Sequence, residues 1–186
     1  MEGVARGPRL RTSVRPGLTE AHVTQLIMPQ HCNTLGITFG GQVMSWIEQC
    51  AYISASRLRA PHVLTAALDS VVFSRATRLG HMLYVVAQVT AIWGSSLEVQ
   101  VSVHGEDPEE GELFHCVDAF ITLVCVAGGP GGSPTALTPL QIPFRLEPSC
   151  PAERLRYEGA VLRRQQRLEI RTAFQEADQH AAPFDP

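Results

Sequence analysis

One carboxylate stands alone in the segment HCNTLGITFGGQVMSWIE (31–48): Glu48 is the only Asp, Glu or Arg between Ala21 and Ser56. Two turns upstream, Gly40-Gly41 mark the point where an irregular loop gives way to apolar residues at helical spacing. A carboxylate in an apolar helix serves as a general base toward water or pairs with a cation. A helix N-terminus that opens on glycines offers backbone amides to developing negative charge, and the same glycines also allow tight helix–sheet packing. Asn33 supplies either an Asx-type turn or a side-chain amide that orients water or a carbonyl. His31 reads as a loop histidine that packs or hydrogen-bonds. Cys32 has no evident activating base.

These groups need a helix and a sheet to hold them. Val43, Met44, Ile47, Cys50 and Ala51 fall at helical spacing, so 41–58 is expected as a helix buried on one face, with Pro61 stopping it. HVTQLIM (22–28) reads as a strand before it. Segments 63–74, 82–93, 96–104 and 112–126 are rich in Val, Ile, Leu and Thr and are separated by turn signals such as Gly94-Ser95 and Gly105-Glu106-Asp107-Pro108. Leu97, Val99, Val101 and Val103 alternate with polar residues, as in a sheet with one wet face. The pattern is one strand, one long helix, then a four-stranded meander.

The rest of the chain frames this unit. At 186 residues it is large enough for one domain, 19–127, with a basic tail over 1–18. The six prolines and two glycine pairs of 127–151 mark a linker, drawn at 128–152. An Arg-rich helix over 153–177 packs on the body, and 178–186 reads as a disordered tail. A net charge of -3 gives no global attraction to nucleic acid or acidic membranes. All fifteen basic residues are Arg. Five cysteines with no C-x-x-C pair argue against a disulfide framework and favour a reducing compartment. No apolar run reaches the ~18 residues of a membrane span, and the histidines lack metal-ligand spacing. The location expected is cytoplasmic; the Arg-rich N-terminus leaves a mitochondrial one as the alternative.

HCNTLGITFGGQVMSWIEQCAYISASRL (31–58) resembles the loop-and-helix signature of the acyl-CoA thioesterases of the hotdog superfamily, and is most similar to the second hotdog repeat of the cytosolic and brown-fat-inducible branch, whose chains also carry a START domain. The likeness runs on through LTAALDSVVF (64–73), RATRLGHMLYVVAQV (75–89), GSSLEVQVSV (94–103), AFITLV (119–124) and VLRRQQRLEI (161–170). It implies an α+β hotdog fold, an antiparallel sheet wrapped around a long central helix. The activity implied is hydrolysis of acyl-CoA, a step of fatty acid and lipid metabolism, with coenzyme A thioester as substrate and no separate cofactor or metal. The alternative is a catalytically weak hotdog protein that binds acyl-CoA or regulates another thioesterase.

The resemblance assigns roles residue by residue. Asn33 orients water or the carbonyl, and Glu48 of the opposite subunit acts as base, standing where relatives have Asp. Gly40 and Gly41 stabilise the oxyanion. Coenzyme A lies along Ala66, Ala67 and Leu68 and along Ser95, Ser96 and Leu97, and Arg163 or Arg164 meets a phosphate. The site is composite, so a homodimer or higher hotdog oligomer is expected, or a hetero-oligomer with another hotdog domain.

Overall fold

The computed structural model describes residues 12–58, 62–127 and 137–180, with side chains up to 176. The expected tails and linker therefore lie partly outside the described residues, over 1–11, 128–136 and 181–186. The elements in chain order are β1 (Thr12–Val14), β2 (Ala21–Leu26), α1 (Gly40–Ser56), β3 (Val63–Leu68), β4 (Val72–Phe73), β5 (Met82–Trp93), β6 (Ser96–Asp107), β7 (Glu112–Ala127), β8 (Thr138–Pro139), β9 (Phe144–Leu146) and α2 (Pro151–His180).

The main sheet runs in the order β2-β5-β6-β7-β3, antiparallel throughout, with β4 and β8 adding short pairings to β7. Gly94, at φ 55°, makes the tight β5–β6 turn that an L side chain resists. The expected meander is correct for β5-β6-β7 but not for β3, which pairs with β7 at the far side. The cause is α1: it spans the sheet's inner face against β5, β6 and β7, and so delivers the chain to the opposite edge. Val43, Trp46, Ile47, Cys50, Ala51 and Ala55 form its buried stripe. They pack on Leu83, Val85, Ala87, Leu97, Val99, Val101, Ile121 and Leu123, the inward set of the central strands. This is the α+β hotdog arrangement that the resemblance implied.

Two segments depart from expectation. Part of the basic tail is built in: β1 pairs in parallel with β9, and Pro16 is buried, its carbonyl accepting a hydrogen bond from the Thr19 hydroxyl. The proline-rich linker region likewise packs on the body, because Ile142 is fully buried and its amide donates to the Gly94 carbonyl. Prolines break regular pairing there, but they do not prevent an isolated apolar side chain from filling the core.

The outer face of the sheet is not wholly wet. α2 lies across it, and Glu98, one of the polar residues alternating on β6, is completely buried beneath the helix. Its carboxylate takes hydrogen bonds from Arg163 Nη2 at 2.8 Å and Nε at 3.2 Å, and from Thr90 Oγ1 at 2.8 Å. A buried carboxylate persists only with such partners.

Candidate active site

Glu48 sits on the face of α1 that looks toward the β3 edge. Thr65, on β3, donates a 2.6 Å hydrogen bond from its hydroxyl to Glu48 Oε1. Thr65 precedes a register shift against β7, between Thr65 and Ala67, after which the pairing resumes at Ala67 and Leu68. Two cavities meet at this pair. One, of about 300 Å³, is lined by Gly41, Met44, Ser45, Glu48, Thr65 and Leu68; the other, of about 490 Å³, continues past Gln49, Tyr52 and Leu64. Ser45, Glu48 and Thr65 border both, so the groove is continuous past the carboxylate.

Gly41 opens one end of this groove, where nothing lies within 4 Å of the position a β-carbon would take. Gly40 is packed: a β-carbon there would stand 3.4 Å from Phe73. The N-cap, Phe39, gives no side-chain cap, and the first turn carries no acid. The first amides of α1 are thus left for a ligand or water. Of the two glycines, Gly41 faces the groove and Gly40 serves packing.

Asn33 is not among the residues lining the two cavities at Glu48. Its Oδ1 accepts from the Leu35 amide at 2.9 Å and the Ile37 amide at 3.1 Å, which shapes the loop and fixes the side-chain amide's orientation. Both readings of this residue are therefore open in the structure: the oxygen makes the turn, and Nδ2 remains a donor. The loop is tied to α1 by His31, whose Nδ1 accepts from the Met28 amide at 3.1 Å and whose ring meets Trp46 edge-on at 5.0 Å.

The expected coenzyme A contacts divide. Ala66, Ala67 and Leu68 lie on β3, a sheet edge whose outer side is unpaired among the described residues. Ser95 closes the β5–β6 turn, its carbonyl accepting from the Cys125 amide. Leu97 does not reach a free edge: it is fully buried, in a strand paired on both sides. Arg163 is not free to meet a phosphate, because its guanidinium is held by Glu98 and lies 3.5 Å over the Phe120 ring. Arg164 differs. It donates to Ser96 Oγ at 3.1 Å, lies over Trp93, and has no carboxylate partner among the described residues. Burial, and then the neighbouring Arg167, hold its guanidinium below the ordinary arginine range. It is the arginine of the pair that can accept an anion. No group of His, Cys, Asp and Glu among the described residues is arranged to hold a metal ion, and no described helix is long and apolar enough to cross a membrane.

Thr65 is the residue that sequence reasoning missed. A threonine in a Val/Ile/Leu/Thr-rich strand carries no signal beyond β propensity. Only the placement of β3 beside α1 gives it a role.

Residues 35–112 match the sequence pattern of the thioesterase superfamily. The chain is 34% identical over 154 residues to the acetyl-coenzyme A thioesterase of Mus musculus, a stretch covering 81% of this chain and 26% of the mouse protein, so it spans about a quarter of that relative's length. A hexameric acyl-CoA thioesterase of known structure is 30% identical, with a TM-score of 0.73 over 85% of this chain and 96% of that one. An acyl-CoA hydrolase of Staphylococcus aureus, solved with butyryl coenzyme A and coenzyme A, is 24% identical, with a TM-score of 0.77 over 90% of this chain and 98% of that one.

Proposed function

This chain belongs to the thioesterase superfamily, and from that premise we propose that it hydrolyses acyl-CoA thioesters to a free acid and coenzyme A, in a site completed by a second copy of itself. The observation that carries the reading is the Thr65–Glu48 hydrogen bond where the two cavities meet. It holds one carboxylate oxygen and leaves the other for water. Glu48 takes a proton from that water as the oxygen attacks the thioester carbon. Amides such as that of Gly41 receive the charge on the carbonyl oxygen. The carbon–sulfur bond then breaks, and the proton passes from Glu48 to the departing thiolate.

Three further observations support this assignment. The S. aureus hydrolase has been solved with alanine in place of an asparagine, of an aspartate fifteen positions on, and of a threonine seventeen positions beyond that. Asn33, Glu48 and Thr65 repeat those intervals, with glutamate in the middle place. Asn33 does not line the cavities at Glu48 in its own chain, and β3 offers an open edge beside Glu48 along which a second copy can pair, bringing its Asn33 loop to the groove. Arg164 is placed to meet a phosphate of coenzyme A.

Complementation tests the shared site. Asn33→Ala and Glu48→Gln chains are each expected to lose thioesterase activity. Co-expressed, they are expected to recover about a quarter of the wild-type sites, because statistical mixing makes half the dimers hybrid and gives each hybrid one intact site. Activity retained by both single variants overturns the catalytic assignment. Activity lost by both, with no recovery on mixing, overturns the sharing.

A further inference from the structure

The face of α2 that meets the sheet continues where the sheet does not. Arg156, Ala160, Arg163 and Arg167 recur at spacings of three and four, which sets them on one side of the helix. Their partners follow the strand order: Gln88 on β5, Glu98 on β6, Phe120 on β7, then Asp69 just beyond β3. From Arg156 to Arg167 the helix advances about 16 Å at ~1.5 Å per residue, close to the ~14 Å of three strand spacings. It therefore crosses the strands nearly at right angles and leaves the sheet at the β3 edge.

The next two positions of the same stripe are Ile170 and Phe174, which are 56% and 67% exposed. Every described residue from Leu168 to Glu176 is exposed. A helix face that looks only into water carries polar residues. Here the stripe changes from arginine to isoleucine and phenylalanine at the point where its own sheet ends.

We propose that the turns of α2 beyond Arg167 lie on the outer sheet face of a second copy of this chain, paired with the first along β3, and strap the two together. The inference rests on the shared-site reading for that pairing alone. Antiparallel pairing of β3 with its copy about a two-fold axis sets the Asp69 end of one strand beside the Val63 end of the other. The residue that alternates with Thr65 at that end is Leu64, 45% exposed at the sheet edge where it also borders the groove, with Val124 beside it in register. Leu64 and Val124 of the second copy make an apolar seat for Ile170 and Phe174. Phe174 lies about 10 Å beyond Arg167, two strand spacings, which carries it from the second copy's β3 to its β7. The two α2 helices enter at opposite ends of the paired strands, so they do not collide.

The test is sedimentation equilibrium over a dilution series, on the full chain, on the double variant Ile170→Asp/Phe174→Asp, and on a chain ending at Arg167. Both altered chains are expected to weaken the dimer dissociation constant by about tenfold or more. Leu64→Ala and Phe174→Ala are expected to weaken it non-additively, as residues in contact do. An unchanged dissociation constant in both altered chains overturns the strap and leaves β3 pairing standing. A larger assembly that falls to an undisturbed dimer also overturns it, since the helix would then be holding a third copy. A wild-type chain that is monomeric at every concentration overturns the strap and the shared site together.

Discussion

Thr65 and Glu48 come from strand and helix seventeen residues apart and meet at 2.6 Å, hydroxyl to carboxylate, where the two cavities of the groove join. The bond fixes the reach of Glu48. Glutamate carries its carboxylate about 1.5 Å further from the backbone than aspartate, and positioning errors of that size cost orders of magnitude in rate. Thr65 sits where that longer side chain ends.

Removing the hydroxyl is therefore expected to lower kcat by about ten- to a hundredfold with KM little changed. Thr65→Val tests this by steady-state release of coenzyme A, and Thr65→Ser is expected to retain most of the rate. Equal loss in both variants would mean that the methyl group, and not the hydroxyl, is what matters.

Shortening the acid is expected to harm this chain. Glu48→Asp withdraws the carboxylate from Thr65 and is expected to lose about a hundredfold in kcat, and Glu48→Gln at least as much. A Glu48→Asp chain faster than wild type would show that the glutamate is the defect in a weak enzyme.

Two adjacent arginines are expected to behave oppositely. Arg163→Ala leaves the fully buried Glu98 without its cation and is expected to cost about 3 kcal/mol in urea unfolding. Arg164→Ala is expected to leave the unfolding midpoint within about 1 kcal/mol. Its effect appears in binding, as a rise of about tenfold in KM for acyl-CoA and a flatter dependence of KM on salt.

Alkali is expected to unfold the protein through its buried thiols. Burial is the main reason that Cys50 is raised from 9.0 to about 11, and the same cause raises Cys116 and Cys125. The unfolded chain releases these protons near pH 9 while the folded chain retains them. Stability is then fully present below about pH 9 and is lost as pH rises toward 11. Urea midpoints across that window, with Cys50→Ala as the flatter comparison, check the sign. Exposed Cys150 is expected to react with thiol reagents at pH 8 while these three do not.

Local pattern carried the elements further than it carried their partners. β5 occupies the expected 82–93, and α1, at Gly40–Ser56, begins one residue early and stops two short. Those segments are long and strongly periodic, and periodicity is a local property. The pairing of β3 with β7 is not local, since it depends on where a helix delivers the chain. Glu98 read as a solvent-facing residue of a half-wet strand because no spacing on β6 announces a helix arriving from residue 163. The resemblance offered Arg163 or Arg164 as the phosphate contact, and nothing in the arginine run tells which of the two a buried carboxylate holds. Asn33, Gly41 and Glu48 stood out because each is chemically unusual where it stands. Thr65 did not, being an ordinary strand residue whose neighbour is set by the fold.

β3 carries Thr65 on one side chain and an unpaired backbone edge along the same few residues. In the proposed shared site, pairing along that edge and occupancy of the groove draw on one equilibrium. If the proposed shared site holds, turnover per chain is expected to fall on dilution as copies separate, and a ligand that bridges Glu48 and the neighbour's loop is expected to pull them back by mass action. The working concentration of the protein thus becomes a variable of its chemistry.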